Sequence, residues 1–327
     1  MARPRLLVLS LGGTITMVPG SEGGIVPKLG AEELVSSVPA LADVAEIVAQ
    51  SPFRLPSPSL GPNDLVEVAR QIRVAFAEGF DAAMVVQGTD TIEESAFLLD
   101  LLVDSDKPVV VTGAMRGASA PGAEGGANLL AAAQVATSPE AAGLGTLAVL
   151  NDEIHAARFV QKAHTALPSA FLSPICGPLG IVAEGRARFF TRVSRKPNLA
   201  IPDQAPAPIA LLKWSMGDDG RLLRNLPSLG FQGLVIEGMG SGNVPADVAP
   251  LLGDLAASLP IAYATRAATG PVFTQTYGYP GSQMDLVARG ILPSGLLSGL
   301  KARLLMALAL SDGGTHDAVR QAFEPYQ

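Results

Sequence analysis

The sequence predicts a two-domain α/β protein: a larger N-terminal parallel-type sheet flanked by helices, then a smaller C-terminal α/β domain. Three observations carry this. At 327 residues the chain exceeds one ordinary domain of roughly 100–200 residues. Short continuous apolar runs alternate with helical patterns through its first half. A Pro-rich stretch then interrupts the alternation, which resumes beyond it. Strands apolar at consecutive positions need cover on both faces, which implies parallel pairing under helices.

The elements follow in order. Residues 6–11 read as a buried strand ending in Gly12-Gly13. Residues 31–38 and 64–78 carry apolar side chains near i, i+3 and i+4 and read as helices, the second capped by Asn63 or Asp64 behind Pro62. Residues 82–86 form a strand, and 91–103 a helix with Glu93 and Glu94 in its first turn, where the helix dipole favours acids. A strand at 109–111, an Ala-rich helix at 126–136 and a strand at 147–150 complete this half. In such folds ligands bind along the edge formed by the strand C-termini. Residues 191–210 contain Pro197, Pro202, Pro206 and Pro208 and read as a linker. The expected domains are therefore 1–190 and 211–327. The second holds strands at 233–237 and 260–264 and helices at 246–258, 299–311 and 315–322.

Composition excludes several classes. With 48% hydrophobic residues the chain can bury a sizeable core, which rules out global disorder. One Cys permits no intrachain disulfide and no cysteine-based zinc site; reduced Cys176 is expected as a small buried hydrophobe. A net charge of −7 without a basic block argues against nucleic acid. The densest basic run, Arg192 to Lys196, reads as solvated linker. The longest charge-free stretch, 165–183, is broken by Pro168, Pro174 and Pro178 and is not expected to span a membrane. Leu6-Leu7-Val8-Leu9 is too short for a secretory leader, so the cytoplasm is the expected compartment.

Four motifs carry candidate chemistry. Leu11-Gly12-Gly13-Thr14-Ile15-Thr16 follows the first strand; its glycines permit a tight turn that exposes Thr14 as a possible nucleophile. Alone, it reads more simply as a Gly-rich turn with a capping Thr. Gln87-Gly88-Thr89-Asp90-Thr91-Ile92-Glu93-Glu94 ends another strand. Asp90 or Thr91 there caps the helix, or else Thr89 and Asp90 sit beside Thr14 at adjoining strand ends. Thr112-Gly113-Ala114-Met115-Arg116 lines the same crevice or is an ordinary left-handed turn at Gly113. Nothing in composition alone selects Lys162 within Arg158-Phe159-Val160-Gln161-Lys162. His155, His164 and His316 lack metal-ligand spacing and read as structural. Gly238-Met239-Gly240-Ser241-Gly242-Asn243 lacks the third glycine of a dinucleotide loop.

Taken together and in this order, these motifs resemble the bacterial-type L-asparaginases. Asn151-Asp152, Gly177-Pro178-Leu179-Gly180 and Lys301-Ala302-Arg303 extend the resemblance over essentially the whole chain. It implies a threonine amidohydrolase that converts asparagine and water to aspartate and ammonia, without cofactor or metal. Carried over, Thr14 is the nucleophile, and Thr89, Asp90 and Lys162 match the family's buried triad. The same resemblance assigns Ser59 to the substrate carboxylate, with Ser57 as the alternative, and Asp90 to its ammonium. Backbone N–H groups at Thr89 and Ala114 would stabilise the oxyanion, and Gly88 lines the substrate site. It further implies a homotetramer built as a dimer of dimers, in which Asn243 and Gln283 complete a neighbouring subunit's site.

The chain departs from the family pattern in places. No Tyr lies between positions 14 and 60, and Gly24-Ile25-Val26-Pro27 occupies the stretch where many members place a lid Tyr. Gln87 replaces a His, and Gln283 stands where some members carry a carboxylate. These departures leave room for other readings: a glutaminase-asparaginase, another small-amide hydrolase, or an amino-acid-binding homologue without turnover. One methylene of substrate is worth only about 1–3 kcal/mol in a pocket, so the residues do not separate Asn from Gln.

Overall fold

Leu6-Leu7-Val8-Leu9 is apolar on both faces of an extended chain and therefore needs cover above and below. The sheet supplies it. The computed structural model of the protein describes residues 3–19, 25–27 and 29–327. It divides into two units, Met1–Ile201 and Pro202–Gln327.

The first unit opens with β1 (Arg5–Ser10), β2 (Met17–Pro19), β3 (Ile25–Pro27), α1 (Ala31–Ser36), α2 (Leu41–Val44) and β4 (Glu46–Gln50). It continues with α3 (Pro62–Ala77), β5 (Ala82–Val86), α4 (Ile92–Leu102), β6 (Val109–Thr112), α5 (Gly125–Ala136) and β7 (Thr146–Leu150). It closes with β8 (Glu153–Ala156), β9 (Gln161–Lys162), β10 (Phe171–Leu172), β11 (Gly180–Ala183) and β12 (Arg186–Phe189). Among the described residues the main sheet runs β12-β11-β8-β7-β6-β5-β1-β4. The steps from β4 to β7 are parallel, and those among β1, β5, β6 and β7 are the ones that the apolar runs predict.

The antiparallel half was not predicted. β8 turns back on β7, β11 pairs with β8, and β12 with β11. Two-residue loops make the β7–β8 and β11–β12 reversals possible. Asn151 and Asp152 have φ of 51° and 59°, and Glu184 and Gly185 have 53° and 72°. Positive φ at both central positions matches the right-handed twist of a hairpin.

Register sets the site. Ser10 pairs with Val86, and Val86 with Thr112, so β1, β5 and β6 end side by side. The three Gly-containing loops therefore leave the sheet along one edge. Val8, Met84, Val110 and Leu147 fill the core against Leu129, Ala132 and Val135 of α5. The helix start at α3 differs from expectation. Gly61 takes the cap, Pro62 fills the first position, and the Asp64 carboxylate accepts from Gly61 N at 2.8 Å. Pro has no N–H to lose there, which moves the cap ahead of it.

Cys176 is exposed, not buried. It lies between Pro174 and Pro178 in the turn-rich connection from β10 to β11, which runs over the surface. The basic run is also tied down: exposed Arg192 donates to Glu140 O and Ala142 O, and half-buried Arg195 to Val103 O and Ser105 O.

The second unit holds β13 (Ile209–Lys213), β14 (Gly233–Gly238), α6 (Ala249–Ala256), β15 (Ile261–Thr265), α7 (Gln283–Ala288), β16 (Leu292–Pro293), α8 (Gly299–Ala309) and α9 (His316–Phe323). Its sheet runs β13-β14-β15-β16, all parallel. β13 starts inside the stretch read as linker, because Ile209 and Ala210 are buried there. No helix among the described residues is long and apolar enough to cross a membrane.

Candidate active site

The first loop is shaped by two glycines. Gly12 and Gly13 have φ of 109° and 90°, which side chains other than glycine rarely adopt. A Cβ on Gly12 would lie 2.5 Å from Leu55 O, and one on Gly13 2.0 Å from Gly88 N. The loops after β1 and β5 therefore touch backbone to backbone, immediately before Thr14 and Thr89. Thr14 opens a 3-10 turn and is half-buried. Local bonding falls to Thr16, whose N and Oγ1 both donate to Gly13 O, at 2.9 and 2.7 Å.

In the second loop Gln87 is buried, with its N donating to Thr112 O at 3.0 Å. Its Nε2 donates to Gly88 O at 3.2 Å and to Thr91 Oγ1 at 3.1 Å. Thr91 occupies the cap position of α4, yet its side chain makes no cap bond. The Asp90 side chain turns elsewhere, so neither residue serves the capping alternative. Lys162 Nζ donates to Thr89 Oγ1 at 2.8 Å and to Asp90 Oδ1 at 2.5 Å. The lysine side chain is 15% exposed and the aspartate 60%. An ion pair so open to water contributes only about 0–1 kcal/mol to stability. Its consequence is orientational: Thr89 oxygen is occupied as an acceptor, which polarises its O–H as a donor.

Ser57 joins this cluster. It is buried, and its Oγ accepts from Asp90 N at 3.2 Å. A Cβ on Gly88 would lie 2.6 Å from that oxygen, so glycine is required there. Ser59 is exposed on the far side of the same turn and is not brought into the cluster.

The third loop closes from the β6 side. Gly113 does not have positive φ; its role is close approach, since a Cβ would lie 2.4 Å from Gln87 O. Of the two readings of this motif, the left-handed turn is thus absent. Asn128 Nδ2 donates to Gly113 O at 2.9 Å, Ala114 is buried, and the Glu124 carboxylate accepts from Met115 N.

Asn243 and Gln283 lie in the second unit. A bridge between Met239 and Asn243 closes one loop, and Val244 N donates to Gly281 O at 2.9 Å to bind it to the start of α7. Asn243 Oδ1 and both polar atoms of the Gln283 amide are buried without a hydrogen-bond partner. Of the 24–27 stretch, only the backbone of β3 is described, and Gly24 lies outside the described residues. His164 Nδ1 accepts from Ala166 N and Leu167 N and closes a turn. Among the described residues no group of three His, Cys, Asp or Glu side chains is placed to hold a metal.

Sequence reasoning assigned no role to Gln87 beyond a departure, none to Glu93 beyond the first turn of its helix, and none to Glu124 and Ser173. The Glu93 and Ser173 partners lie 69 and 18 residues away, where no local signal marks them.

Residues 5–195 match the family described as asparaginase, N-terminal, and residues 208–323 match the glutaminase/asparaginase C-terminal domain. The chain belongs to the asparaginase family. A probable L-asparaginase of Deinococcus radiodurans is 36% identical, over 98% of this chain and 97% of that protein. A glutaminase-asparaginase of Pseudomonas aeruginosa is 30% identical, over 98% and 90%. The crystal structure of a probable cytoplasmic L-asparaginase from Campylobacter jejuni superposes with a TM-score of 0.90 at 29% identity, covering 99% of this chain and all of that one. In this asparaginase-family chain, the loops of β1, β5 and β6 and the β9 lysine converge on one sheet edge.

Proposed function

We propose that the protein is an L-asparaginase, hydrolysing L-asparagine to L-aspartate and ammonia through an acyl-enzyme on Thr14. One observation carries the reading: Lys162 Nζ bonds Thr89 Oγ1 and Asp90 Oδ1 together, in a loop that meets the Thr14 loop at the Gly13–Gly88 contact.

The chemistry follows from the arrangement. Thr14 Oγ attacks the side-chain amide carbon. The C–N bond breaks, and the nitrogen leaves as ammonia with a proton relayed through Thr89. Lys162 holds the Thr89 hydroxyl oriented, and Asp90 holds Lys162. A hydroxyl is a weak nucleophile until its proton has somewhere to go, and this relay supplies the path. Water then attacks the Thr14 ester by the reverse route. Backbone N–H groups of Thr89 and Ala114 receive the oxyanion, a contribution of about 3–4 kcal/mol per donor in comparable sites. Asp90, with its carboxylate partly open to solvent, takes the substrate ammonium. Ser57, already against Gly88 and Asp90 N, is better placed than Ser59 for the substrate carboxylate.

A second copy of the chain completes the site in this reading. The exposed Phe273, Tyr277, Tyr279, Met284 and Val287 of the second unit support it, whereas Gln283 is fully buried in its own chain and presents no surface to a neighbour. Exposed aromatic and apolar clusters mark association surfaces. A homotetramer working in the cytoplasm, without cofactor, is the assembly we propose. The Campylobacter jejuni neighbour is described as cytoplasmic.

The Pseudomonas aeruginosa relative keeps a second reading open, in which glutamine is hydrolysed as well. Ammonia release by wild type, Thr89→Val and Lys162→Met tests the proposal. Loss in both folded variants is expected; an undiminished rate in either removes that residue from the mechanism.

A further inference from the structure

Lys162 reaches the site from a very short element. β9 is two residues long, and its partner β10 is also two, with Lys162 opposite Phe171. So short a ladder fixes a chain segment weakly, because isolated hairpins are marginal. The position of Lys162 depends on what else ties this hairpin down.

Two side-chain tethers do so. On one side, Lys162 N donates to Glu93 Oε1 at 3.3 Å, linking β9 to α4. On the other, Ser173 lies two residues beyond Phe171, and its Oγ is hydrogen-bonded to His155 Nδ1 at 3.0 Å. His155 belongs to β8, where it pairs with Ala148 of β7 in the main sheet. The imidazole is 1% exposed and Ser173 4%. Gly177 N also donates to Ser173 O at 2.8 Å, which holds the serine from behind.

His155 follows Ile154, whose apolar side chain fills the core. The second ring nitrogen, Nε2, faces the Glu153 carboxylate at 3.4 Å. Burial pushes His155 down to about 4 and Glu153 up, so the ring is neutral at ordinary pH. Ser, His and Glu in a row resemble hydrolytic machinery, but Ser173 is closed to any substrate. The row acts through what it holds.

We propose that the His155–Ser173 hydrogen bond anchors the β9–β10 hairpin to the main sheet and thereby sets the position from which Lys162 reaches Thr89 and Asp90. His155 and Ser173 are positioning residues; neither touches substrate. The inference rests on the reading of Lys162 as part of the catalytic relay.

The test compares wild type, Lys162→Met, Ser173→Ala, His155→Leu and His155→Asn. Ammonia release from L-asparagine gives kcat and KM, and circular dichroism with thermal melting gives the folded fraction. Lys162→Met is expected to be inactive. Ser173→Ala and His155→Leu should each lose about tenfold or more in kcat with KM changed less than about twofold, since small displacements of a reacting group cost rate before affinity. His155→Asn, whose amide can occupy the Nδ1 position, should recover most of kcat. If Ser173→Ala and His155→Leu melt earlier but keep wild-type kcat per folded molecule, the hydrogen bond is structural only and the inference falls. If His155→Asn is as slow as His155→Leu, the bond is not what matters and it also falls. Should His155→Leu not fold, Ser173→Ala decides alone. An active Lys162→Met would overturn the reading of the site itself, and this inference with it.

Discussion

Gly13 and Gly88 meet backbone to backbone, with so little space that a Cβ on Gly13 would stand 2.0 Å from Gly88 N and 2.2 Å from Gly88 Cα. This contact joins the two threonine loops. Each threonine is the next residue in its loop, so the distance between the loops sets the distance between the hydroxyls. Gly13→Ala should therefore both strain a backbone at φ 90° and push the loops apart. A loss of about 2–4 kcal/mol in stability is expected, with activity abolished. Denaturant melts and ammonia release read the two effects separately.

Asp90→Asn leaves Lys162 without its carboxylate. The pair is too exposed to matter much for stability, so the melting temperature should stay within a few degrees. The rate should fall by about 10²-fold or more, the usual worth of a group that steers a proton transfer. Steady-state kinetics of the folded variant provides the check.

Ser57 and Ser59 are separated by substitution. Ser57→Ala removes a hydroxyl that sits against Gly88 and Asp90, whereas Ser59→Ala removes an exposed one. A hydrogen bond to a charged group is worth about 1.5–3 kcal/mol, so KM for asparagine should rise about 10- to 100-fold in Ser57→Ala. It should not change in Ser59→Ala. The reverse pattern would return the carboxylate to Ser59.

His155 makes stability pH-dependent. Its folded-state value, held at about 4 by burial, lies below the ordinary 6.5. The unfolded chain therefore binds the proton first on acidification. Stability is complete above about 6.5 and is lost as pH falls toward about 4, by about 3 kcal/mol in total. Glu153, raised by burial, works in the opposite sense over the acid end of that window. Urea melts of wild type and His155→Leu across pH 4–7 isolate the histidine: the variant should show a flatter profile.

The parallel half of the first sheet was legible because β1, β5, β6 and β7 are continuous apolar runs, a pattern that doubly covered strands require. β4 was not, because it is an edge strand, half-exposed throughout, with no alternation to mark it. The β8 to β12 extension escaped because its strands are two to four residues long and its turns use Asn-Asp and Glu-Gly. Within the site, the Gly-containing turns after strands drew attention to Thr14, Thr89 and Asp90, but each turn alone read as easily as a cap, and the assignment came from the motifs taken together. Lys162 did not, since its partners lie 72 and 73 residues away and no local pattern records such a contact. Pro56 and Pro58 made the 56–62 segment irregular, so Ser59 was assigned with Ser57 as the alternative; the fold buries Ser57 and exposes Ser59. Gly113 looked like a left-handed turn, yet it is needed for the approach of Gln87 O, a requirement visible only in three dimensions.

The most direct test of the account is ammonia release from L-asparagine and L-glutamine by wild type and Thr14→Val in parallel. The account predicts ammonia from L-asparagine with wild type and none with folded Thr14→Val. Undiminished release by Thr14→Val, or no release from either amide by folded wild type, would contradict it.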